Sequence, residues 1–485
     1  MILEILTLSV LLSSAFIQSL HIFYGLGFLI RCRAEKCYSN NRYYSNNSID
    51  RFVRNHPRIS VIIPMKNEDL NIVRKTLEKL AELEWNKESI EIIVASDDPV
   101  DRWKIIEDLI NDISIKYKVK IWANFRENPV GGRNGAINEV IKKCSGDLIL
   151  ILDADSIPEK DFLLKLYNKV RTEKCDAVVG RWIGYSYFKS KIGEALSAST
   201  DFIGSLLFYG REYWGFYIVP LGSGTLFTRE VFDKIGLIEY DIVQDDYWIG
   251  LKMFGKGLKT CYEDTAVVKV MVPSTYRALK IQQSRWSFGA VQAGLRGINI
   301  VRAARDKLYR KFEIILYAFQ YLPTILTAYS PIAYAVAYIF IEPNTDPILN
   351  IFPYLIMWIM VSLFYAIIYY HIITVRRGSV GLRGIKWLGT SSALLTSLSP
   401  FIAYNQLRAI FRKRIYSYRV TPKGSLEKNI YGLSDIFIEA IILLILVIST
   451  VKMFLMSHFL SILFVAMFIA SYAYTIFVYF ENIRK

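Results

Sequence analysis

The chain has 485 residues, of which 53% are hydrophobic, and its formal net charge is +15. So much apolar material argues against a single water-soluble body. Uncharged apolar runs lie towards both ends, whereas residues 58–310 are mixed in polarity. The composition therefore predicts a soluble domain flanked by membrane segments. Basic loops that contact anionic lipid explain the charge, so no nucleic-acid partner is expected.

Apolar runs of membrane-crossing length define the ends of the chain. The hydrocarbon core of a bilayer is about 30 Å thick, so a crossing helix needs roughly 20 apolar residues. Residues 1–31 are predicted as an N-terminal transmembrane helix, a retained anchor because no basic residue precedes its apolar run. Residues 301–485 are predicted as a membrane region with about four spanning helices. The apolar runs are 5–30, 314–341, 348–375, 436–451 and 459–480.

Basic residues predict the orientation, because loops rich in Lys and Arg stay in the cytosol. They follow the first run, precede the second, and fill the loops at 376–386 and 412–428. The large middle domain is therefore predicted to be cytosolic, in a multi-pass protein of the cell membrane, with a cytosolic linker at 32–57. Segment 391–411 lies between two basic loops. We expect Pro400 to break it, and its Ser and Thr content favours a helix lying in the membrane interface. The five cysteines fall on the cytosolic side, where disulfides rarely persist.

The middle domain, residues 58–300, alternates short β-branched runs with amphipathic stretches. This alternation is typical of a mainly parallel sheet with helices on its faces. Ligands of such sheets bind at the carboxyl ends of the strands. The predicted strands are 60–64, 90–95, 119–122 and 148–152, and the predicted helices are 71–83, 101–115 and 136–143.

Acidic residues follow three of the predicted strands. Glu68 follows the first, Asp97 the second, and Asp153 and Asp155 the fourth. The last two are separated by one residue, so in an extended chain they point to the same side. Carboxylates suit Mg²⁺ or Mn²⁺ bound together with substrate phosphates. Taken alone, Asp-x-Asp also fits a solvated turn. Neither a phosphate-binding P-loop nor a dinucleotide fingerprint occurs in the sequence.

Six motifs occur together in one order. They are Ile62-Ile63-Pro64 with Asn67-Glu68, Asp97, Gly132-Arg133 with Ala136-Ile137-Asn138, Asp153-Ala154-Asp155, Gln244-Asp245-Asp246, and Gln282-Gln283-Ser284-Arg285-Trp286. Over residues 59–294 the chain thus resembles the membrane-embedded family 2 glycosyltransferases, the group of cellulose, chitin and hyaluronan synthases. The resemblance implies a Rossmann-like α/β domain of the GT-A fold, followed by a helical transmembrane region.

The resemblance also implies roles in binding a nucleotide-sugar donor. Asp97 corresponds to the acid that meets the nucleotide base, Asp153 to the one that contacts the nucleotide-sugar, and Asp155 to the metal ligand, with Asp153 beside it. Arg133 stands where the family often has Lys, near the nucleotide. The other donor-binding candidates are Pro64 and Glu68.

The last two motifs imply the catalytic residues. Asp246 is the candidate general base, although Gln244-Asp245-Asp246 departs from the Thr-Glu-Asp of cellulose synthases. Arg285 would act on the leaving diphosphate, and Trp286 would offer a flat face to the acceptor sugar. Gln282 completes the family's Gln-x-x-Arg-Trp. As alternatives, the Arg-Trp pair could be an interfacial packing pair, and Asp245-Asp246 a helix-start pair.

A loop between the later apolar runs, residues 412–430, contains Tyr418-Arg419-Val420-Thr421-Pro422-Lys423. This segment is similar to the Phe-x-Val-Thr-x-Lys of the cellulose synthase gating loop, with Tyr for Phe. The similarity places Thr421 and Lys423 over the donor pocket. The alternative is a basic loop that only touches anionic lipid.

These observations predict an inverting, metal-dependent hexosyltransferase. One base and no nucleophile implies a single displacement from a nucleotide-sugar, a UDP-sugar in preference to a GDP-sugar. The acceptor would be carbohydrate or lipid-linked. The leading prediction is processive synthesis and translocation of a β-linked polysaccharide; the alternative is transfer of one sugar to a lipid. A transport or scaffold protein with an inactive domain would be expected to lack one of Asp97, Asp155 and Asp246, and all three are present.

Overall fold

The structure is a computed structural model that describes residues 1–35, 56–411, 421–427 and 432–483. Most of the predicted linker and residues 412–420 of the predicted loop lie outside this part. The strands are β1 (Ile59–Met65), β2 (Ile90–Ser96), β3 (Lys120–Phe125), β4 (Leu148–Ile151), β5 (Ile157–Pro158), β6 (Ala177–Tyr185), β7 (Thr225–Thr228) and β8 (Thr260–Met271).

The helices lie between and around these strands. They are α1 (Ile2–Ala34), α2 (Leu70–Ala81), α3 (Trp103–Tyr117), α4 (Gly132–Lys143), α5 (Phe162–Glu173), α6 (Lys191–Gly204), α7 (Arg229–Ile235), α8 (Asp245–Gly255), α9 (Tyr276–Ala303), α10 (Leu308–Ala318), α11 (Thr324–Phe340), α12 (Phe352–Arg377), α13 (Leu382–Phe411), α14 (Phe437–Leu455) and α15 (Phe459–Ile483).

The first half of the sheet confirms the predicted strands and helices. β3, β2, β1 and β4 lie side by side in parallel, with α2, α3 and α4 between them in sequence. Parallel strands covered by helices are apolar on both faces. Val61 and Ile63 of β1 accordingly pack into one hydrophobic cluster, and Ile62 packs into the other. The polar residues of these strands lie near the two strand ends, as Ser60 and Glu91 do at the beginnings of β1 and β2.

The second half of the sheet was not predicted. The full strand order is β3-β2-β1-β4-β7-β6-β8-β5. β7 pairs antiparallel with both β4 and β6, and β6 pairs in parallel with β8. This mixed half closes the sheet beyond β4 and carries α8 and α9 to the carboxyl edge of the parallel strands. The predicted domain boundary at residue 300 falls within α9.

Two of the five cysteines form a disulfide, which is not expected for a domain predicted to be cytosolic. Cys175 and Cys261 form a disulfide, with their Cα atoms 6.1 Å apart. The pairing of β6 with β8 brings them together, because Val178 lies opposite Cys261 in the parallel register. Cysteine spacing along the chain gave no signal for this pair.

Within the described residues, four helices are long and apolar enough to cross a membrane. They are α1, α12 with the turn that precedes it, α14 and α15. All four match predicted apolar runs, namely 5–30, 348–375, 436–451 and 459–480. The fold is thus an α/β domain attached to a group of apolar helices.

The predicted single span at 314–341 is wrong. The structure has two helices there, α10 and α11, with a break between them at residues 319–323. Pro323 has no N–H to donate to the carbonyl of Phe319, so it does not continue α10. α11 alone is a 17-residue apolar helix.

The segment at 391–411 is part of the longer helix α13, and the prediction that Pro400 breaks it is wrong. Pro400 cannot donate to the carbonyl of Thr396, but the hydroxyl of Ser399 donates to that oxygen at 2.7 Å. The side chain therefore replaces the missing backbone hydrogen bond. The interfacial position of this helix remains a prediction.

A buried ion pair attaches α1 and α10 to the α/β domain. α6 continues through a π-helical turn, Ser205–Gly210, to Arg211. Arg211 donates to both carboxylate oxygens of Glu313 at 2.7 and 2.9 Å, and the two side chains are 0% and 5% exposed. Tyr24 of α1 donates to the same carboxylate at 2.7 Å. Gly210 allows this approach, because a Cβ there would lie 2.1 Å from the carbonyl oxygen of Tyr24.

A second ion pair fixes the end of α12. Arg376 donates through two guanidinium nitrogens to the two carboxylate oxygens of Asp264, each at 2.7 Å. Bidentate pairs of this kind fix orientation as well as distance. The basic end of this apolar helix therefore lies directly against the α/β domain.

Candidate functional site

The predicted site residues share one cavity of about 1410 Å³. It opens at the carboxyl ends of β1, β2 and β4 and continues between the apolar helices. All twelve candidates line it: Pro64, Glu68, Asp97, Arg133, Asp153, Asp155, Asp246, Gln282, Arg285, Trp286, Thr421 and Lys423. The structure thus brings together residues that are up to 359 positions apart, from Pro64 to Lys423. Their individual roles remain predictions.

The Asp-x-Asp pair lies at the centre of the cavity. The backbone N–H of Asp153 donates to the hydroxyl of Ser223 at 3.0 Å, which fixes the turn after β4. Asp155 forms an ion pair with Lys423, with an N–O distance of 2.7 Å. Burial raises the pKa of Asp155 despite this cation. Burial also acts on Asp153, but Arg133 and Lys423 outweigh it and hold its pKa below the usual range.

The donor set of this turn fits a hard divalent cation. The carboxylates of Asp153 and Asp155 lie within one turn, and the charges of both act on Glu68. The ammonium of Lys423 pairs with Asp155. Burial, opposed by Lys423, raises the pKa of Glu68 to about 7. Oxygen ligands and concentrated negative charge are what Mg²⁺ and Mn²⁺ require.

Arg133 connects two acids of the site. Its guanidinium donates to Asp153 at 2.6 Å, to Asp245 at 3.0 Å and to the carbonyl of Gly222 at 2.6 Å. Its predicted role was donor binding. The geometry adds a structural role, because the same side chain joins the end of β4 to the start of α8.

Asp246 lies in the first turn of α8, at the wall of the cavity. Its two carboxylate oxygens accept from the backbone N–H groups of Gly222, at 3.0 Å, and Tyr247, at 2.7 Å. Burial and the neighbouring charge of Asp245 raise the pKa of Asp246 to about 7. A carboxylate with a raised pKa, held by two donors at a cavity wall, has the properties of a general base.

The Gln-x-x-Arg-Trp residues lie on α9. Positions 282, 285 and 286 are three and four residues apart, so they share one face of the helix. Thr275 caps the helix by accepting from the N–H of Ala278 at 3.3 Å. Lys280 binds Glu439 of α14 at 2.6 Å, which ties this helix to the apolar helices. The charge of Arg285 also acts on Asp153.

The described part of the predicted gating loop is residues 421–427. Ser425 donates to Asp69 at 2.6 Å, and Glu427 accepts from the N–H of Ser274 at 2.9 Å. Burial opposes the charge on Lys423, but Asp155 and Glu68 raise its pKa above the usual range. The contacts place Thr421 and Lys423 beside the acids, whereas gating remains a prediction and residues 412–420 lie outside the described part.

Comparison with known proteins identifies the α/β domain. Residues 60–236 match the sequence model described as Glycosyl transferase family 2. The chain carries a family 2 glycosyltransferase domain. The mixed sheet, Rossmann-like in its first half, is the GT-A type expected for this family, so the predicted fold class is confirmed. The match ends before Asp246 and the Gln-x-x-Arg-Trp residues.

Several known proteins are similar to this chain. A probable glycosyltransferase of Sulfolobus acidocaldarius is 28% identical over 430 residues, 88% of this chain and 91% of that protein. A poly-β-1,6-N-acetyl-D-glucosamine synthase of Staphylococcus aureus is 25% identical over 301 residues, 60% of this chain and 68% of that protein. A mannosyltransferase of Pyrobaculum calidifontis, solved with GDP-Man and Mn²⁺, is 17% identical, covering 84% of this chain and all of its own, with a TM-score of 0.49.

Sequence reasoning missed one residue of the family 2 domain that touches the predicted donor site. Arg126 donates to Asp97 through two nitrogens, at 2.7 and 2.6 Å, and is only 9% exposed. It also donates to the carbonyls of Val130 and Gly132, each at 2.9 Å. Burial raises the pKa of Asp97, and Arg126 opposes that shift. The contact follows from the parallel register of β2 and β3, in which Ser96 lies opposite Phe125, so that Asp97 and Arg126 leave the two strands side by side.

Arg126→Lys is expected to weaken nucleoside diphosphate binding about tenfold, because a lysine cannot hold Asp97 and both carbonyls at once. Calorimetric titration of UDP and GDP with Mn²⁺ present measures the change. Arg171→Lys, an exposed substitution on α5, is the matched control. Equal affinity in Arg126→Lys and wild type would contradict a role for Arg126 in holding the donor site.

Proposed function

We propose that this chain transfers a sugar from a nucleotide-sugar, a UDP-sugar in preference to a GDP-sugar, to a growing β-linked polysaccharide that passes between its own apolar helices. One observation carries the proposal: the cavity with the site acids continues among residues of the apolar helices that bear hydroxyl and amide groups. These include Ser14, Gln18, Ser362, Ser392, Thr396 and Ser471.

Asp246 supports the chemical step. As the acceptor hydroxyl attacks, its oxygen bonds to the anomeric carbon while the bond from that carbon to the diphosphate oxygen breaks. The hydroxyl proton moves to the carboxylate of Asp246, and the nucleoside diphosphate leaves with the bonding electron pair. Attack opposite the leaving group inverts the anomeric centre, as expected for a site with one base and no nucleophile.

The cations of the site support departure of the diphosphate. Lys423 lies at the acids, and the charge of Arg285 reaches Asp153, so both can approach phosphates bound there. Asp153 and Asp155 are the residues that would hold Mg²⁺ or Mn²⁺, which supplies further positive charge to the leaving group when bound. Positioned charge of this kind is often the largest catalytic contribution.

Two observations support a polymer product. Trp286 lines the cavity and offers an aromatic face to a sugar ring. The hydroxyl-bearing continuation of the cavity suits a carbohydrate chain better than a dry apolar cavity would. The name of the Staphylococcus aureus relative, a polysaccharide synthase, agrees with such a product.

The proposed location is the cell membrane, with the family 2 domain in the cytosol. Arg31 and Arg33 occupy the last turn of α1, and Arg376 and Arg377 that of α12. Arg376 binds Asp264, so basic helix ends lie on the side of the domain. This agrees with the preference of cationic loops for the cytosol.

The test is nucleoside diphosphate release by purified protein in detergent, across a panel of UDP- and GDP-sugars. We expect release from one donor, dependent on Mg²⁺ or Mn²⁺ and abolished by a chelator, together with a polymer in the product. Product sizing tests the alternative, because a lipid bearing one sugar would replace the processive proposal with single transfer. Release from no donor would contradict both.

Transfer is expected to rise with pH through about 7, because burial and Asp245 raise the pKa of Asp246 to about that value and only its charged form accepts a proton. A pH–rate profile extending roughly two units either side measures this. Nucleoside diphosphate affinity is measured over the same range, because the donor-binding candidate Glu68 also has a pKa of about 7. A rate that is independent of pH while affinity is constant would contradict the role of Asp246.

A further inference from the structure

We propose that the break between α10 and α11 forms an acceptor subsite for a sugar unit, with Tyr317, Gln320 and Tyr321 as its contact residues. All three side chains line the cavity that Trp286 and Asp246 also line. The inference rests on the proposed function and extends it, because it names the residues that hold the attacking sugar.

Hydrogen bonds fix the break between α10 and α11. Irregular backbone next to an apolar helix is tolerated where protein satisfies its polar groups or where it lines a cavity. Here the N–H of Leu322 donates to the carbonyl of Phe319, and that of Thr324 to the carbonyl of Tyr321, each at 2.9 Å. The buried amide of Gln406, on α13, donates to the same Tyr321 carbonyl at 2.8 Å. The turn is therefore fixed from outside as well as from within.

The aromatic ring of Tyr317 is held in place beside the predicted base. The guanidinium carbon of Arg211 lies 4.0 Å from the ring centroid, and the buried pair with Glu313 fixes that guanidinium. The ring of Tyr247 is 5.7 Å away, centroid to centroid. Burial raises the pKa of Tyr317, and the charge of Asp246 adds to the shift, as expected for neighbours.

The free groups of the turn suit a carbohydrate. Within the described residues, the side chains of Gln320 and Tyr321 form no hydrogen bond, and both are only partly buried. An amide both donates and accepts, as sugar hydroxyls do, and a phenol ring covers the C–H face of a sugar. A lipid chain would make no use of the amide. The chemistry therefore favours a glycan end over an acyl or polyprenyl chain.

Loss of an acceptor subsite would let water take the place of the acceptor hydroxyl. The water oxygen then bonds to the anomeric carbon as the bond to the diphosphate oxygen breaks, a water proton moves to the carboxylate of Asp246, and the nucleoside diphosphate leaves with the bonding electron pair. Donor binding and diphosphate release would persist, whereas incorporation of sugar would fall.

The experiment measures sugar incorporated per nucleoside diphosphate released, in membranes from cells that express the protein, using the donor found in the release screen. The variants are Tyr321→Ala and Gln320→Ala, and the matched control is Leu326→Ala on α11, whose side chain is 46% exposed and does not line the cavity. We expect the ratio to fall about tenfold in both variants and to stay unchanged in the control.

Affinity for the nucleoside diphosphate, titrated in purified protein, is expected to stay within about twofold of wild type, which also reports that the variants fold. A ratio equal to that of wild type in both variants would overturn the proposal and leave the break a structural feature. Wild-type protein that releases no nucleoside diphosphate from any donor would instead contradict the proposed function. Release without any incorporation by wild type would contradict both.

Discussion

Asp246→Asn is expected to lower the rate of sugar transfer by roughly 10² to 10⁴, the range in which positioned proton transfer contributes. The amide occupies the same volume but cannot accept the proton of the acceptor hydroxyl. Donor binding should persist, because the carboxylate of Asp246 pairs with backbone N–H groups and not with the predicted donor residues. Initial rates of nucleoside diphosphate release, measured beside calorimetric affinity, separate the two effects.

The substitution also has a predictable structural cost. Two backbone N–H groups, from Gly222 and Tyr247, point at the two carboxylate oxygens, and an amide offers only one oxygen. One donor then faces an NH₂ group, at a cost of about 1–3 kcal/mol. Thermal unfolding of Asp246→Asn quantifies this term, and Asp233→Asn, exposed on α7, is the matched control. A rate within about threefold of wild type would rule out Asp246 as the base.

Asp155→Asn is expected to weaken Mn²⁺ binding roughly 100-fold or more, because loss of even an outer-shell partner of a metal ligand costs 10- to 100-fold. The substitution removes a buried carboxylate that pairs with Lys423 and would also bind the divalent cation. Calorimetric titration of Mn²⁺, with and without UDP or GDP, measures the loss directly, without recourse to activity.

Two further variants complete that experiment. Asp112→Asn removes an exposed carboxylate on α3 and should leave Mn²⁺ affinity unchanged. Lys423→Met removes the cation that pairs with Asp155, and it should weaken nucleoside diphosphate binding while leaving the metal ligands in place. If Asp155→Asn kept wild-type Mn²⁺ affinity, Asp155 would serve only to anchor Lys423, and the metal assignment would fail.

The first half of the fold could be predicted because its information is local. The strands before Glu68, Asp97 and Asp153 are short apolar runs, and parallel pairing brings their ends to one edge. The position of each acid can therefore be predicted from a pattern of only a few residues. The resemblance to a family added Asp246 and Arg285, which no local rule would have joined to these strands.

The remainder depends on contacts distant in sequence. β7 lies between β4 and β6 because its backbone pairs with both strands. No residue pattern within Thr225–Thr228 indicates this pairing. Arg126 could be found only once the register of β2 and β3 was fixed. The Cys175–Cys261 pair likewise needs the pairing of β6 with β8.

Proline shows why the apolar helices were harder to predict. Pro331 and Pro400 lie inside continuous helices, whereas the chain breaks before Pro323. Propensity is the same for all three residues, so the surroundings decide. Ser399 supplies the bond that Pro400 cannot, while Gln406 stabilises the open turn beside Pro323. A count of apolar residues contains neither contact.

The ion pair of Arg211 with Glu313, joined by Tyr24, sets an order of assembly during synthesis. Tyr24 is translated before the family 2 domain, Arg211 within it, and Glu313 after it, so the domain cannot complete its packing until the ribosome has passed residue 313. A fragment spanning 58–300 lacks both Tyr24 and Glu313, so it loses this ion pair and the packing of α1 and α10 around Arg211. We therefore expect the family 2 domain to be less stable alone than in the chain with its apolar helices, and biochemical work on it calls for the whole chain.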